Sequence, residues 1–223
     1  FMGDERDQVV FSADLTLAYV AGRDGRIYVI DTTTLTIVHT VRVVNASTNI
    51  TSLALADGWL YASEGNGSGG QAGRVVRINA DQRARGFLIE QQVLGIPASV
   101  AAPLGFMDMA ISDGRYLALT APTQRLNVTG RTPDAGNVYV IDLLAVTRDG
   151  RVLPDALRTL PLSNYADYRG KGPLEISAGP NPGEFLLANA KDHNAGLTSL
   201  RWSINANGTL GTTVTVQTPT LRP

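Results

Sequence analysis

Short apolar runs alternate with polar turns along the whole chain, and the clearest example is LAYVAGRDGRIYVIDTTTL, from Leu17 to Leu35. The runs LAYVA and RIYVID are separated by an Arg-Asp-Gly turn, and a Thr-rich turn follows the second run. Runs rich in Val, Ile, Tyr and Thr that are bounded by Asp and Gly predict short β-strands joined by tight turns. This stretch is therefore expected to form a β-hairpin.

Four units along the chain repeat this arrangement. They open with VVFSADL, ITSLALADG, FMDMAISDG and PLEISAGPNPG, near residues 9, 50, 106 and 173. The turns after these opening runs are Ala13-Asp14, Asp57-Gly58, Asp113-Gly114 and Asn181-Pro182-Gly183, and each third run ends in Asp or Asn. Such residues tolerate a left-handed backbone or accept hydrogen bonds from the following turn, as hairpin connections require.

Four units of four antiparallel strands in series predict an all-β fold, a β-propeller in which each unit is one blade. We place the blades at approximately 9–43, 50–94, 106–162 and 173–218, within a single propeller domain or segment that covers residues 1–223. No segment has a helical period, although 142–147 is suited to a single helical turn. A β-sandwich is the alternative fold, but a sandwich gives no reason for the same sequence pattern of strands and turns to recur four times.

Composition limits the class of protein. Of the 223 residues, 43% are hydrophobic and 17% charged, which is typical of a globular chain. The net charge is −1 and no basic patch is visible, which argues against nucleic-acid binding. No apolar run approaches the roughly 20 residues that a membrane-spanning helix needs. The absence of cysteine excludes disulfides, thiol catalysis and thiolate metal sites.

Residues 9–43 resemble the blades of bacterial YVTN-type surface-layer propellers, a group that includes YncE-like and lactonase-like proteins. Those blades typically read FSPDGK-LYVAN, then VSVIDTATN and KVVATI, and the runs at 11–14, 17–21, 27–32 and 35–41 occupy the matching places. The resemblance is close over 9–43, fair over 106–142, and limited to the pattern elsewhere. It carries no catalytic motif, and it implies an extracellular, cell-surface or periplasmic location.

Propellers of that family usually have seven blades, whereas this chain supplies four. Three arrangements would account for the difference. The chain would be part of a larger propeller, a closed four-bladed wheel, or one piece of a ring that a second copy or another chain completes. The first of these is the favoured expectation, because an open stack would expose strand edges and a blade face.

Candidate functional residues concentrate in the connections. In a propeller, the loop between the second and third strands of a blade lies on the same side as the links between blades, and all the long insertions are expected on that side. Long loops on a rigid scaffold are where binding sites concentrate. The weak ligand-binding candidates are Arg23, Glu64, Asn66, Asp108, Arg125, Tyr165, Tyr168, Arg169, Asp192 and His193.

Two acidic residues stand in otherwise apolar inner strands. Asp108 in FMDM, and Glu175 in PLEIS by the same reasoning, could bind a cation or a sugar hydroxyl at the channel. The alternative, which we favour, is a carboxylate that accepts hydrogen bonds from neighbouring backbone amides.

The loop candidates also have two interpretations each. The cluster of Tyr165, Tyr168 and Arg169 could stack on a carbohydrate or hold an anionic partner, or it could be an ordinary surface loop. Glu64 and Asn66 lie in a glycine-rich stretch that superficially suggests a phosphate or calcium loop. Its spacing fits neither motif, so a hairpin tip is favoured. Asp192 and His193 could ligate a metal ion, but one Asp and one His are weak evidence for a metal site. The chain has two histidines, and neither can be assigned to a Ser-His-Asp triad.

These observations favour a non-enzymatic binding or structural module of a bacterial secreted or cell-surface protein, with a protein or glycan partner. No cofactor is strongly implied, although calcium is possible. The alternative is a propeller enzyme of lactonase or quinoprotein type with a metal-assisted site at the channel mouth. It would need acidic, His or Arg groups from several blades to converge. An intracellular scaffold of WD-repeat style is disfavoured, because the Trp-Asp dipeptide and its upstream Gly-His are absent.

Overall fold

A computed structural model describes residues 8–22, 24–43, 50–64, 73–96, 105–121, 136–162, 173–189 and 198–217. Within these residues the strands form four separate antiparallel sheets, each built from four strands that are consecutive in sequence. We call these sheets blades 1 to 4. The predicted fold class, a propeller architecture of four-stranded antiparallel blades, is confirmed.

The strands follow one another without crossovers. Blade 1 contains β1 (Val9–Phe11), β2 (Leu17–Ala21), β3 (Arg26–Asp31) and β4 (Thr36–Arg42); blade 2 contains β5 (Ile50–Ala56), β6 (Trp59–Glu64), β7 (Arg74–Asn79) and β8 (Gln91–Val93). Blade 3 contains β9 (Asp108–Ser112), β10 (Tyr116–Ala121), β11 (Asn137–Asp142) and β12 (Leu157–Pro161); blade 4 contains β13 (Pro173–Ala178), β14 (Glu184–Asn189), β15 (Thr198–Ile204) and β16 (Leu210–Gln217). Two 3₁₀ turns, Leu143–Ala145 and Pro154–Ala156, separate β11 from β12, and the first is the helical turn that the sequence predicted.

Two strands are shorter than the apolar runs suggested. The run VVFSADL forms a strand only as far as Phe11, because Asp14 accepts hydrogen bonds from the hydroxyls of Ser12 and Thr16 and closes a turn. In the second unit, the apolar run FLIEQQVLG at residues 87–95 also suggests a strand, but only Gln91–Val93 form one, since the chain before them turns through Leu88, whose φ is 60°. Local side-chain and turn geometry therefore overrides strand propensity at both places.

Each blade has two faces because side chains alternate along a strand. We call the face that points to the next blade in chain order the front face, and the other the back face. Between blades 1 and 2, Tyr19 and Val29 pack with Leu53 and Leu60 in one apolar cluster. Equivalent clusters lie between blades 2 and 3, and between blades 3 and 4. The apolar core is thus divided into layers between successive blades.

The two ends of this series are open. On the back face of blade 1, Val9 and Phe11 are 45% and 52% exposed. On the front face of blade 4, Glu175 and Arg201 are exposed. No apolar cluster of the described residues joins blade 4 to blade 1. Among the described residues, the four blades therefore do not close into a four-bladed wheel. They form an open series from blade 1 to blade 4, which we call the arc.

The Asp57-Gly58 turn shows how sequence chemistry sets the strand register. Both residues have positive φ, 46° and 72°, and they join Ala56 to Trp59 as a two-residue hairpin loop. That conformation matches the twist of the flanking strands. A Cβ at Gly58 would lie 3.5 Å from the Cβ of Asp81, an ordinary contact, so backbone strain rather than crowding determines which residues fit.

We expect Gly58→Val to lower the free energy of unfolding by about 1–2 kcal/mol, because a β-branched side chain is strained at positive φ. Gly58→Asn is the matched control and should cost clearly less, because Asn tolerates the left-handed region. Urea unfolding followed by circular dichroism measures both. Equal losses for the two variants would contradict this account of the turn.

Asp and Asn side chains at the ends of third strands stabilise the turns that follow, as the sequence predicted. Asp31 accepts hydrogen bonds from the backbone N–H groups of Thr33 and Thr34 at 2.9 and 2.7 Å. Asn79 and Asp142 accept equivalent bonds from Asp81 and Leu144. The backbone N–H and then the hydroxyl of Thr34 are the main reasons that the pKa of Asp31 lies below its ordinary value of 3.8.

A depressed carboxylate pKa stabilises the fold above the unfolded-state pKa, and this stabilisation is lost as pH falls through the lower pKa of the folded state. We therefore expect wild type to be more stable than Asp31→Asn at pH 7. The difference should shrink from about pH 4 downward and vanish below the folded-state pKa. Urea midpoints between pH 7 and pH 2 test this. A difference that does not depend on pH would contradict it.

Candidate functional site

The topology brings the strand ends that carry all the candidate residues to one end of the arc. Since strands alternate in direction, the connections between second and third strands leave from the same end as the links between blades. We call this the loop end and the opposite one the turn end. β2, β6, β10, β12 and β14 all finish at the loop end.

Most of the candidates lie outside the described residues. The structure describes Glu64 and Asp108, whereas the others lie, in sequence, between described strands. Those others are Arg23, Asn66, Arg125, Tyr165, Tyr168, Arg169, Asp192 and His193. Their roles stay predictions.

The expectation that every long insertion lies at the loop end needs correction. The connections 80–90 and 143–156 join third strands to fourth strands and therefore lie at the turn end. The second contains the two 3₁₀ turns, and Arg77 of blade 2 donates hydrogen bonds to the carbonyl oxygens of Thr147 and Arg148 within it. This insertion is part of the packing between blades 2 and 3.

Asp108 is the centre of the site. It is the first residue of β9, and its side chain is buried. Oδ1 accepts hydrogen bonds from Gln8 Nε2 at 2.6 Å and from the Ser52 hydroxyl at 2.8 Å. Oδ1 also accepts from the Met109 N–H at 2.8 Å, and Oδ2 accepts from the Ile176 N–H at the same distance.

This one carboxylate therefore touches all four blades, because its partners belong to blades 1, 2 and 4 as well as its own. Its lone pairs are directed at protein donors, two of which are backbone amides. The favoured interpretation of Asp108, a carboxylate that accepts from neighbouring amides, agrees with these bonds. The described bonds leave little capacity for a cation or a sugar hydroxyl at Asp108.

The bond from Ile176 belongs to a repeated pattern. The Leu53 N–H donates to Gln8 Oε1 at 2.8 Å, and the Met109 N–H donates to Ser52 Oγ at 3.1 Å. In each case a polar side chain in the inner strand of one blade, or directly before it, accepts from the inner-strand backbone of the next. Gln8, Ser52 and Asp108 are the successive acceptors, and we call this series the inner-strand relay.

Sequence reasoning missed Gln8 and Ser52. The signal that could have found them is position rather than residue type. Ser52 and Asp108 each stand five residues before the Asp of an Asp-Gly turn, so the two are equivalent in register. Because one position holds an amide, a hydroxyl and a carboxylate in turn, no motif search for a single residue type detects the series.

Glu64, the other described candidate, is held by Arg74. The guanidinium of Arg74 donates to both carboxylate oxygens, with Nη2 2.6 Å from Oε2 and 2.8 Å from Oε1. These residues face one another across β6 and β7, and Glu64 is buried. A bidentate pair of this kind fixes the base of the glycine-rich connection.

Two arginines at the turn end are also held by neighbouring side chains, one by a carboxylate and one by an aromatic ring. Arg115 pairs with Asp142 at 2.6 Å, and this carboxylate is the main reason that the pKa of Arg115 lies above its ordinary value. Arg77 lies 4.6 Å from the ring centroid of Trp59, which is partly buried. Trp202 is buried between blades 3 and 4.

The arrangement offers no described catalytic constellation. No group of three or more His, Cys, Asp and Glu side chains in the described residues is placed to hold a metal ion. His39 lies on β4, with its ring edge-on to Phe87 at 5.9 Å between centroids. No helix among the described residues has the length and apolar character needed to cross a membrane.

Comparison with known proteins supports the fold. A scan against protein-family models gives no match, and neither does a search of the curated proteins. Among solved structures, the chain is similar to the β-propeller domain of Cps50 (Swd1) from Myceliophteria thermophila, with a TM-score of 0.52 and 18% identity. The likeness covers 82% of this chain and 49% of that chain, so this chain spans about half the length of the structure it matches. At this identity the likeness shows the β-propeller fold alone.

We expect Asp108→Ala to lower the free energy of unfolding by about 3 kcal/mol, because it leaves buried donors from several blades without an acceptor. Asp155→Ala, which removes an exposed carboxylate at the turn end, is the control and should change stability by less than about 0.5 kcal/mol. Chemical denaturation measures both. A loss at Asp108 no larger than the control's would refute its role as the link between blades.

Proposed function

We propose that this chain is a non-enzymatic binding module that presents its loop end to a protein or glycan partner. The observation that supports this most is the saturation of the two described candidate carboxylates at that end, Asp108 and Glu64. Asp108 accepts four hydrogen bonds and Glu64 is held in a bidentate pair with Arg74. A general acid or base needs to reach its substrate, and these two carboxylates are committed to the scaffold.

The residues that remain for recognition are in the connections. The link between β12 and β13 carries Tyr165, Tyr168 and Arg169. Aromatic rings stack on the apolar faces of sugars and of protein side chains, and a guanidinium pairs with anionic groups. Rigid blades with connections of different length at one end are suited to binding, since the scaffold limits the entropy lost when a partner is bound.

The proposal places the module in a bacterial protein that is secreted or displayed at the cell surface. Support comes from the resemblance of residues 9–43 to YVTN-type blades. Both the YVTN-type family and the location are part of this proposal.

A glycan array and a panel of immobilised extracellular matrix and cell-wall proteins test the binding function. We expect at least one specific ligand whose affinity falls about tenfold or more in the double variant Tyr168→Ala/Arg169→Ala. The control is Arg83→Ala/Arg85→Ala, which removes two arginines at the turn end and should leave the affinity unchanged.

Two results would overturn the proposal. One is turnover of a lactone or another small substrate with no binding on either panel, which would favour the enzyme of lactonase or quinoprotein type. The other is a ligand whose affinity falls in the turn-end variant and not in the loop-end variant. Circular dichroism of each variant confirms that the fold is retained.

A further inference from the structure

The connection between β11 and β12, residues 143–156, is the longest described connection between the third and fourth strands of a blade. The equivalent connections of blades 1, 2 and 4 span residues 32–35, 80–90 and 205–209. We call residues 143–156 the blade 3 insertion. Blades 2 and 4 pack on either side of blade 3, so the surface of this insertion is not an uncovered end of the arc. Long connections on a rigid scaffold are where binding sites concentrate.

The blade 3 insertion is ordered by its own hydrogen bonds. Residues 146–152 form a small hairpin in which Val146 pairs with Val152. Within it, the Thr147 N–H donates to the carbonyl oxygen of Arg151 at 2.9 Å. The two 3₁₀ turns lie on either side of this hairpin. The shape of the insertion is therefore defined by contacts within the chain.

Blade 2 holds the insertion in place. The Gly95 N–H donates to the carbonyl oxygen of Gly150 at 2.8 Å, and Gly95 forms a parallel bridge with Arg151. Arg77 donates to two carbonyl oxygens of the hairpin at 2.8 Å. A Cβ at Gly150, whose φ is 88°, would lie 2.8 Å from the carbonyl oxygen of Val93, so only glycine allows this close approach. A partner that binds the insertion therefore pays little for ordering it.

The outward side of the insertion is apolar and cationic. Val152 is buried, so its neighbours Arg151 and Leu153 point outward on the same side. The Leu153 N–H donates to the carbonyl oxygen of Ala145, which brings Leu153 close to Leu144. Leu144 and Leu153 are 70% and 36% exposed. Two exposed leucines thus lie beside an arginine on an ordered surface.

The charged groups of the insertion differ in how far they are occupied. Arg148 and Arg151 are exposed, and neither guanidinium has a hydrogen-bond acceptor or an ion-pair partner among the described residues. Asp149, in contrast, accepts a hydrogen bond from the Thr147 hydroxyl. An arginine without an acceptor is suited to pair with a carboxylate of another molecule.

The charge balance of the insertion favours a protein segment over a lipid surface. The insertion contains two arginines and two aspartates, so it carries no net charge. A diffuse anionic surface, such as a membrane rich in acidic lipids, attracts clusters of basic residues. A protein segment can instead place its carboxylates opposite individual arginines and its apolar side chains on the leucines.

We propose that the outward side of the blade 3 insertion binds an acidic, apolar segment of a partner protein. Leu144 and Leu153 contact the apolar side chains of this segment, and Arg148 and Arg151 pair with its carboxylates. A few apolar and arginine contacts of this kind carry most of the binding energy of an interface. The insertion lies at the turn end, so this second site does not depend on the function proposed for the loop end.

A phage-displayed library of random peptides, selected on the immobilised wild-type chain, tests this site. We expect the enriched peptides to combine Asp or Glu with large apolar residues. Fluorescence anisotropy of a labelled synthetic peptide from this set then measures affinity. The affinity should fall about tenfold or more in Leu144→Ser and in Arg151→Ser. It should also weaken as the salt concentration rises, because salt screens exposed charges.

Leu35→Ser and Arg42→Ser are the matched controls. They change a similarly exposed leucine and an exposed arginine on blade 1, and both should leave the affinity unchanged. Two control peptides complete the set, one with Ser for its apolar residues and one with Asn or Gln for its acidic residues. Each should bind about tenfold more weakly than the selected peptide. Circular dichroism of every variant shows whether the fold is retained.

The proposal fails on any of four results. One is that no peptide is enriched on the wild-type chain. Another is that the enriched peptides lack acidic residues, or that Leu144→Ser and Arg151→Ser bind them as tightly as wild type does. A third is that their affinity falls instead in Tyr168→Ala/Arg169→Ala, which would assign them to the loop end. The last is binding to phosphatidylserine vesicles that both insertion variants abolish, which would identify a lipid surface as the occupant.

Discussion

The inner-strand relay is the interaction on which the arc depends. Packing of one apolar blade face on another is non-directional, so it does not by itself fix how far one blade is shifted along its neighbour. A hydrogen bond from a backbone N–H to one defined side-chain oxygen does fix that shift. Gln8, Ser52 and Asp108 supply these oxygens in turn, and Asp108 also connects its neighbours across the centre. Since buried donors are costly when unpaired, each step of the relay favours one register.

The relay explains why Asp108, an acidic residue in an apolar inner strand, joins blades to one another. A carboxylate in an apolar run suggests a ligand site when only its own strand is considered. Asp108 is instead the acceptor for donors that lie up to 100 residues away in sequence. Glu64 and Asp142 are likewise occupied by Arg74 and Arg115. These three described carboxylates thus help to build the scaffold.

The ends of the arc differ in chemistry. Blade 1 has an uncovered apolar back face, whereas blade 4 exposes Glu175, Ser177 and Arg201. Repeat proteins bury a continuous core only where neighbours stack, so an uncovered apolar end face is a liability unless a partner covers it. The same contacts that join successive blades specify what such a partner must present. It needs small inner-strand residues and an acceptor at the relay position.

The sequence by itself determined the strands, their tight turns and the grouping into four blades. These features depend on the alternation of apolar and polar positions and on turn chemistry within a few residues, as at Asp57-Gly58 and Asp31. The local sequence was therefore sufficient to predict them. The prediction from sequence was wrong about the lengths of two strands, because turns at Ser12 and Leu88 end or delay them. Only the tertiary structure decided which polar residues meet at the centre, because Gln8, Ser52, Asp108 and Ile176 are far apart in sequence and differ in type. It also decided that the arc is open, since the exposure of a blade face depends on what packs on it and not on its own residues.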